Sequence, residues 1–206
     1  MTTILYSNSS YNANNNNICF TDFVEAIAAY CLTTNLNGKS LENYINDNFF
    51  PNYQNYTIHK EHQVYCTRIE FEPNGSQKGP DWFFTFSDNT THEVELKTSK
   101  QKGINLNEGI PDNIVIFVEY NSKTNISSSV ILLEDYEPNL KSVKPLWDNI
   151  KPNIISKVDN LLGGNSVIST LRVKWKTPNL SKINNNSSAS VNLKQTSLNN
   201  FRSRYK

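Results

Sequence analysis

Two dense apolar runs constrain the fold of this 206-residue chain more than any other feature. NIVIFVEY (113–120) and SSVILLEDY (128–136) are rich in β-branched residues and carry few polar residues between them. A strand with one face in water alternates apolar and polar side chains, whereas a strand that is covered on both faces does not. We therefore predict that both runs are strands of a sheet that is covered on both faces.

Shorter patterns before these runs predict further elements. FTDFVEAIAAYC (20–31) has its apolar residues at helical spacing, with Thr21 available as a cap. SLENYINDNFF (40–50) predicts a second short helix, capped by Ser40. HQVYCTRIEF alternates, and DWFFTF and HEVELK flank a polar turn, so these three segments predict strands.

The elements after the apolar runs complete the expected architecture. PNIISKVDNLLGG (152–164) predicts a helix with Pro152 at its first position and a single apolar stripe, and VISTLRVKWKT predicts a late strand. Together the elements predict an α/β fold in which a central mixed β-sheet is flanked by helices. The length fits one domain over residues 1–206.

The N-terminal segment 1–17 is Asn-rich and of low complexity, and we expect it to be irregular. It lacks the basic start and apolar stretch of a signal peptide, and no run in the chain reaches the roughly 18 apolar residues that a membrane span needs. Three cysteines without metal-type spacing predict reduced, buried thiols. These features favour a cytoplasmic protein without a membrane partner.

Charge is divided unevenly along the chain although the net charge is only +1. Residues 1–140 hold 8 basic and 17 acidic residues, a net charge of −9, and residues 141–206 hold 12 basic and 2 acidic residues, a net charge of +10. This polarity predicts a catalytic or metal-binding body with a basic C-terminal part that faces a polyanion. The alternative is a solvated lysine-rich tail.

The segment GPDWFFTFSDNTTHEVELKTSK (79–100) predicts a hairpin with polar residues on one face. Pairing its strands about a turn centred on Asn89 places Asp81 opposite Lys97 and diagonal to Glu95. Because side chains alternate with period two, all three emerge on the same face. The opposite face collects Trp82, Phe84, Phe86, Val94 and Leu96.

These residue types suit metal-assisted hydrolysis. Two carboxylates at this separation can share Mg²⁺, which prefers oxygen ligands, and the backbone carbonyl of Leu96 points where a further ligand could come from. A bound metal stabilises charge on a phosphoryl oxygen and lowers the pKa of a bound water. A neighbouring lysine orients or helps to deprotonate the nucleophile and offsets negative charge.

Pro80-Asp81, thirteen residues, and then Glu95-Leu96-Lys97 resembles the signature of the PD-(D/E)XK nucleases. Chain length and layout look most like a type II restriction endonuclease. The resemblance implies a restriction-endonuclease-like core in which Asp81 and Glu95 bind Mg²⁺ and Lys97 is the catalytic lysine. It also implies a homodimer on a palindromic site in double-stranded DNA, products with 5′-phosphates, and a possible cognate DNA methyltransferase. The alternative is a surface hairpin with a solvated cross-strand pair between Asp81 and Lys97.

Other residues are candidates for accessory roles. The resemblance suggests an additional acidic residue from the first helix, and Glu25 is the candidate. Glu25 lies well off the centre of the apolar stripe of that helix, which favours a solvated position on the helix flank instead. Further acidic candidates beside the hairpin are Glu70 and Glu93. Candidate DNA contacts lie just past the catalytic lysine, on one face of the late strand and in a groove-reaching C-terminal arm: Lys100, Lys102, Arg172, Lys174, Lys176, Arg202 and Arg204.

These observations leave three candidate functions. The first is a Mg²⁺-dependent endodeoxyribonuclease that cuts double-stranded DNA at a specific sequence. The second is a repair or recombination nuclease that recognises DNA structure. The third is a non-catalytic DNA-binding protein in which the acidic residues and the lysine form structural salt bridges.

Overall fold

The computed structural model describes residues 3–12, 14–72, 80–99, 106–107, 114–120, 126–136, 138, 140–161, 174–175 and 188–206. The strands in chain order are β1 Thr3–Ser7, β2 Asn16–Cys19, β3 Tyr56–His59, β4 Cys66–Phe71, β5 Trp82–Phe86, β6 Thr91–Ser99, β7 Leu106–Asn107, β8 Ile114–Tyr120, β9 Ile126–Leu132 and β10 Lys174–Trp175. The helices are α1 Phe20–Tyr30, α2 Lys39–Asn48, α3 Leu133–Tyr136, α4 Leu140–Leu161 and α5 Ser188–Arg204, with short 3₁₀ turns at Cys31–Thr33, Phe50–Tyr53 and Glu61–Gln63.

A six-stranded mixed sheet organises these elements, in the order β1-β4-β5-β6-β8-β9. Neighbouring strands are antiparallel except β6 and β8, which run parallel. Two further pairs, β2 with β3 and β7 with β10, lie outside this sheet. The predicted α/β class, with a central mixed sheet flanked by helices, is confirmed.

The predicted coverage on both faces is confirmed for β8, whereas β9 is an edge strand in which Val130, Ile131 and Leu132 are buried and the first four residues are half-buried. In β8 the five residues from Ile114 to Val118 are each at most 2% exposed, as a strand covered on both faces requires. The second apolar run splits after Leu132, because its last four residues form α3 instead of continuing the strand.

The apolar face of the predicted hairpin forms the centre of the core. Trp82, Phe84, Phe86, Val94 and Leu96 are all buried. Helix α1 packs on this face through residues such as Phe20, whose ring meets that of Phe84 edge-on at 5.2 Å. This packing decides which face of the hairpin is left for polar residues.

Both predicted helix caps are wrong. Helix α1 begins at Phe20, so Thr21 lies inside the first turn with its side chain buried. Helix α2 begins at Lys39 after Gly38, which places Ser40 inside the helix. Gly38 has a φ of +53°, a conformation that residues with a Cβ rarely adopt, and its carbonyl accepts the Leu41 N–H at 2.9 Å.

The expectation that residues 1–17 are irregular is wrong as well. They contribute β1, which pairs with β4, and the start of β2, which pairs with β3. Tyr6 is 1% exposed, and its hydroxyl donates to the Tyr56 carbonyl at 2.7 Å. The apolar residues of TILYS are sufficient to add an edge strand, although Asn dominates the composition of the segment.

The C-terminal part departs furthest from prediction. Helix α4 begins at Leu140 and contains Pro152 in its interior, and Leu161 of the predicted apolar stripe is 85% exposed. The end of the chain is neither an extended arm nor a solvated tail. It is helix α5, which packs along the edge strand β9 and buries Phe201 completely.

Helix α5 covers the sheet edge through hydrogen bonds as well as packing. The fully buried Ser197 accepts the Leu132 N–H at 2.7 Å and donates to the Asp135 carboxylate at 2.7 Å. An edge strand presents unpaired N–H groups, and a helix that satisfies one of them protects that edge.

Of the predicted late strand, Lys174–Trp175 forms β10, and its other residues lie outside the described part of the chain. None of the described helices has the length and apolar character to cross a membrane.

His92 of β6 lies in an aromatic environment on the core side of the hairpin. Its ring centroid is 5.2 Å from that of Phe20, 5.3 Å from that of Phe86 and 4.9 Å from that of Tyr205. Burial, assisted by the positive charge of Lys60, lowers the pKa of His92 to about 4. The folded protein therefore holds this imidazole neutral at neutral pH.

We predict that His92 makes folding sensitive to mild acid. The unfolded chain, in which the pKa is near 6.5, takes up the proton first, so the stability held above pH 6.5 is lost as the pH falls from 6.5 toward 4. Between pH 7 and 4.5 the wild type should lose about 2 kcal/mol more unfolding free energy than His92→Phe. Urea titrations at stepped pH measure this, and parallel curves for the two proteins would refute it.

Candidate metal and catalytic site

The register of the β5–β6 hairpin decides how the predicted site is assembled. Trp82 pairs with Val94 and Phe83 pairs with Glu93, so the turn is centred on Asp88 and not on Asn89. The loop has three residues, 87–89: the Phe86 N–H donates to the Thr90 carbonyl at 2.9 Å, and Asn89 has a φ of +63°. A type I turn followed by a left-handed residue is a common three-residue hairpin loop.

The predicted pairing of Asp81 with Lys97 is therefore wrong by two residues. Continuing the observed register places Asp81 opposite Glu95. Because a shift of two residues preserves the alternation of faces, Asp81, Glu95 and Lys97 still share the polar face, as predicted.

A third acidic residue extends this row on the other side of Asp81. Glu72 directly follows β4, and its N–H donates to the Asp81 carbonyl oxygen at 3.0 Å. Glu72 has a φ of +46°, which is unusual for a residue with a Cβ. Glu72, Asp81 and Glu95 thus lie side by side across three adjacent strands.

Helix α2 brings a fourth carboxylate to the row. The helix is fixed against the hairpin by two hydrogen bonds: the Trp82 indole N–H donates to the Asn46 side chain at 2.9 Å, and the Gly38 N–H donates to the Thr98 hydroxyl at 3.2 Å. Glu42 lies in its first turn. Carboxylate oxygens of Glu42, Glu72 and Asp81 lie within 4.8 Å of one another. We call Glu42, Glu72, Asp81 and Glu95 the acidic cluster.

Asp81 is the most perturbed member of the acidic cluster. Its carboxylate accepts the Leu96 N–H at 2.7 Å. Burial, and then the negative charges of Glu95 and Glu42, raise the pKa of Asp81 well above its usual value, and the hydrogen bond from Leu96 and the charge of Lys97 offset only part of this. Among the described residues no salt bridge reaches Asp81, so its negative charge lacks a direct counterion there.

Two lysines flank the acidic cluster from opposite sides. Lys97 forms an ion pair with Glu95, which is 8% exposed. Lys39, at the start of α2, forms ion pairs with Glu42, at 3.3 Å, and with Glu72. The pKa of Glu42 is still raised, first by burial and then by the charges of Glu72 and Glu95, although Lys39 acts against the shift.

The chemistry of these donors fits Mg²⁺. A hard divalent cation prefers carboxylate oxygens, and repulsion among clustered carboxylates is relieved when such an ion binds. Asp81, Glu72 and Glu42 already have their oxygens close together, and Glu95 is next to Asp81. The Leu96 carbonyl as a ligand stays a prediction, since the contact seen for the Leu96 backbone is its N–H bond to Asp81.

The three predicted accessory acids have different positions. Glu70 of β4 and Glu93 of β6 are the cross-strand partners of Phe83 in β5, so they form the next row on the polar face. Glu70 also forms an ion pair with Arg68 at 2.7 Å. Glu25 does not lie at the acidic cluster. Arg202 of α5 donates two hydrogen bonds to its carboxylate, from Nε at 2.7 Å and from Nη2 at 2.6 Å.

Sequence reasoning missed Glu42 and Glu72. The available signals were weak: Glu42 is one of two acidic residues in a polar helix, and Glu72 follows Glu70 with the same parity. Their roles depend on the docking of α2 and on the end of β4, neither of which a local pattern specifies.

The predicted DNA contacts are only partly described. Arg202 pairs with Glu25 and Arg204 pairs with Glu134, so both arginines act within the fold. Lys194 of the same helix pairs with the buried Glu119. Lys174 lies in β10. Lys100, Lys102, Arg172 and Lys176 lie outside the described residues.

Comparisons with protein families, with curated proteins and with solved structures found no match for this chain. The case for a function therefore depends on the geometry of the site and on the sequence motif.

We predict that Asp81 costs the folded protein stability. A carboxyl group whose pKa is raised by folding contributes stability at low pH, and this contribution is lost as the pH rises through the folded pKa. Asp81→Asn keeps an acceptor for the Leu96 N–H but removes the charge. Without divalent ions at pH 7.5, it should raise the unfolding free energy by about 1 kcal/mol or more, as measured by urea denaturation.

Asp88→Asn is the matched control on the same hairpin, and its effect should have the opposite sign. Burial is the largest single influence and acts to raise the pKa of Asp88, but the hydrogen bonds from Thr90 and the charge of Lys60 together outweigh it, and the pKa is lowered. The stability that Asp88 contributes is present at neutral pH and is lost as the pH falls through its folded pKa. A stabilising Asp88→Asn, or a destabilising Asp81→Asn, would contradict this description of the hairpin.

Proposed function

We propose that this chain is a Mg²⁺-dependent endodeoxyribonuclease of the PD-(D/E)XK type. It hydrolyses phosphodiester bonds of double-stranded DNA at a specific, palindromic sequence, as a type II restriction enzyme does. In this proposal the chain is a single nuclease domain with a restriction-endonuclease-like core. It acts in the cytoplasm as a homodimer, alongside a cognate DNA methyltransferase.

One observation carries the proposal. Asp81 of the motif, which directly precedes β5, lies opposite Glu95 of β6, and Lys97 projects from the same face two residues further along. Side chains from separate parts of the motif thus share one surface, and the Glu42 carboxylate from α2 lies beside them. A hairpin that used these residues only for solubility would have no need to bury Glu95 or to leave Asp81 only partly exposed.

The residues divide the work of hydrolysis as follows. Asp81 and Glu95 would hold the cation, and Glu72 and Glu42 would be close enough to share it directly or through water. Bound Mg²⁺ would neutralise charge on the scissile phosphate and acidify a water molecule. Lys97, beside Glu95, places its ammonium group where the phosphate approaches, orients the nucleophile and offsets the developing negative charge.

Sequence specificity and dimerisation follow from the same proposal. A double-strand break in a palindrome requires two active sites related by a two-fold axis. Lysines and arginines of the C-terminal part contact phosphates, so affinity falls steeply with salt, and base contacts supply the specificity. Arg202 and Arg204 can join only if DNA phosphates displace Glu25 and Glu134 from them.

Cleavage of plasmid DNA tests the catalytic assignment. Asp81→Ala and Lys97→Ala should each reduce Mg²⁺-dependent cleavage by at least about a hundredfold while binding of the cognate DNA survives, because each removes a charge required in the transition state and not one that contacts DNA elsewhere. The matched controls are Asp88→Ala and Lys60→Ala, which remove the partners of an ion pair at the hairpin turn.

The cleavage products separate the alternatives. Discrete bands indicate a sequence-specific enzyme, and sequencing of their ends gives the site. Cutting only at junctions or ends indicates the structure-specific nuclease. Undiminished cleavage by Lys97→Ala would remove the lysine from the mechanism.

The ion pairs at the acidic cluster favour the non-catalytic alternative. Lys97 and Lys39 already neutralise part of the acidic cluster, as a purely structural set of salt bridges would. The position of Asp81 argues against this alternative, since a half-buried carboxylate with a raised pKa and no salt bridge among the described residues destabilises a protein that has no use for it.

Metal-dependent stability distinguishes the two interpretations. At a Mg²⁺ concentration ten times its Kd, binding to the folded state should add about 1.4 kcal/mol to the unfolding free energy of the wild type. The gain should disappear in Asp81→Asn, because the variant lacks a ligand, and persist in Asp88→Asn. Thermal melts with and without Mg²⁺ measure it, and equal melting temperatures up to millimolar Mg²⁺ would support the structural salt-bridge interpretation.

A further inference from the structure

We infer that Lys39 is a positioning residue that takes the place of a second divalent cation at the acidic cluster, so that the cluster binds one such ion. The inference rests on the proposed function and adds to it the number of ions and the residue that sets that number.

The location of Lys39 on α2 requires an explanation. It is the first residue of the helix, where the helix dipole disfavours a positive charge. Its ammonium group lies 3.3 Å from the Glu42 carboxylate, contacts Glu72 and sits 4.2 Å from the centre of the Phe71 ring. These three partners compensate for the unfavourable position, so the side chain is directed toward the acidic cluster.

Lys39 reaches the acidic cluster from the solvent side. Its side chain is 48% exposed, whereas the side chains of Glu42 and Glu72 are 13% and 20% exposed. An ammonium group that bridges two recessed carboxylates from outside occupies the position that a cation from solution would take. Lys39 and such a cation are therefore competitors for Glu42 and Glu72.

Charge balance sets the number of ions. Four carboxylates and the two ammonium groups of Lys39 and Lys97 leave two negative charges when all six are ionised. One divalent cation neutralises them. Without Lys39 three negative charges remain, and a second divalent cation becomes favourable.

The two lysines also divide the acidic cluster in space. Lys97 takes the Glu95 side and Lys39 takes the Glu42 and Glu72 side. Asp81 lies between them, because both Glu95 and Glu42 act on its carboxylate. The single ion is thus placed at Asp81, beside the lysine that the proposed mechanism uses.

Binding of Mn²⁺ tests the inference without any measurement of activity. Electron paramagnetic resonance of free Mn²⁺ gives the number of bound ions, and isothermal titration gives their affinities. We expect one Mn²⁺ per wild-type chain. Lys39→Gln should bind a second Mn²⁺, since the ammonium group that occupies the position between Glu42 and Glu72 is lost and the acidic cluster keeps three negative charges.

The controls isolate the charge at position 39. Lys39→Arg keeps the charge and should behave like the wild type, and Lys39→Ala repeats the test with a smaller neutral residue. Lys60→Gln is the matched control: Lys60 pairs with Asp88 at 3.4 Å and lies 4.4 Å from the centre of the Phe86 ring, so it makes the same types of contact at the far end of the hairpin. It should leave Mn²⁺ binding unchanged.

The outcomes separate this inference from the proposed function. A single Mn²⁺ per chain in both Lys39→Gln and Lys39→Ala would overturn the inference and leave the nuclease proposal standing. Two Mn²⁺ ions per wild-type chain would also overturn it. A wild type that binds no Mn²⁺ at millimolar concentration would instead refute the proposed metal site, and the inference with it.

Discussion

The Leu96 N–H donates a hydrogen bond of 2.7 Å to the Asp81 carboxylate, and the candidate site is organised around this contact. It joins the residue before β5 to the middle of β6, so it holds the open end of the hairpin together. It also fixes Asp81 beside Glu95 and close to Glu42 of α2, where burial and the neighbouring carboxylates raise its pKa. A single backbone amide thus retains a charge that its surroundings disfavour.

The sequence predicted more of the sheet than of the candidate site. The alternation of apolar residues in DWFFTF and HEVELK was sufficient to assign the buried face, because parity survives any even shift of register. The register itself was not predictable from alternation. It depends on a three-residue loop in which Asn89 adopts a left-handed conformation and Asp88 accepts the Thr90 N–H at 2.9 Å.

Tertiary packing determined what local patterns could not. Glu25 and Glu42 are each one of two acidic residues on a short helix, and it is the docking of α2, in part through Asn46, that places Glu42 at the site. The basic C-terminal part shows the same limit. Its charge suggested a polyanion, yet three cations of α5 neutralise Glu119, Glu25 and Glu134 of the acidic body. Part of the polarity along the chain is therefore balanced within the fold.

The two faces of the hairpin have opposite energetic roles, and this explains how the acidic cluster is tolerated. One face buries Trp82 and its aromatic neighbours against α1, and burial of large aromatic side chains is among the strongest stabilising contributions that a small domain has. The other face holds carboxylates that repel one another. Because both faces belong to the same two strands, the packing that stabilises the core also prevents the carboxylates from moving apart. Their repulsion is reduced instead by the ion pairs with Lys39 and Lys97 and by the raised pKa of Asp81 and Glu42, and a cation would reduce it further.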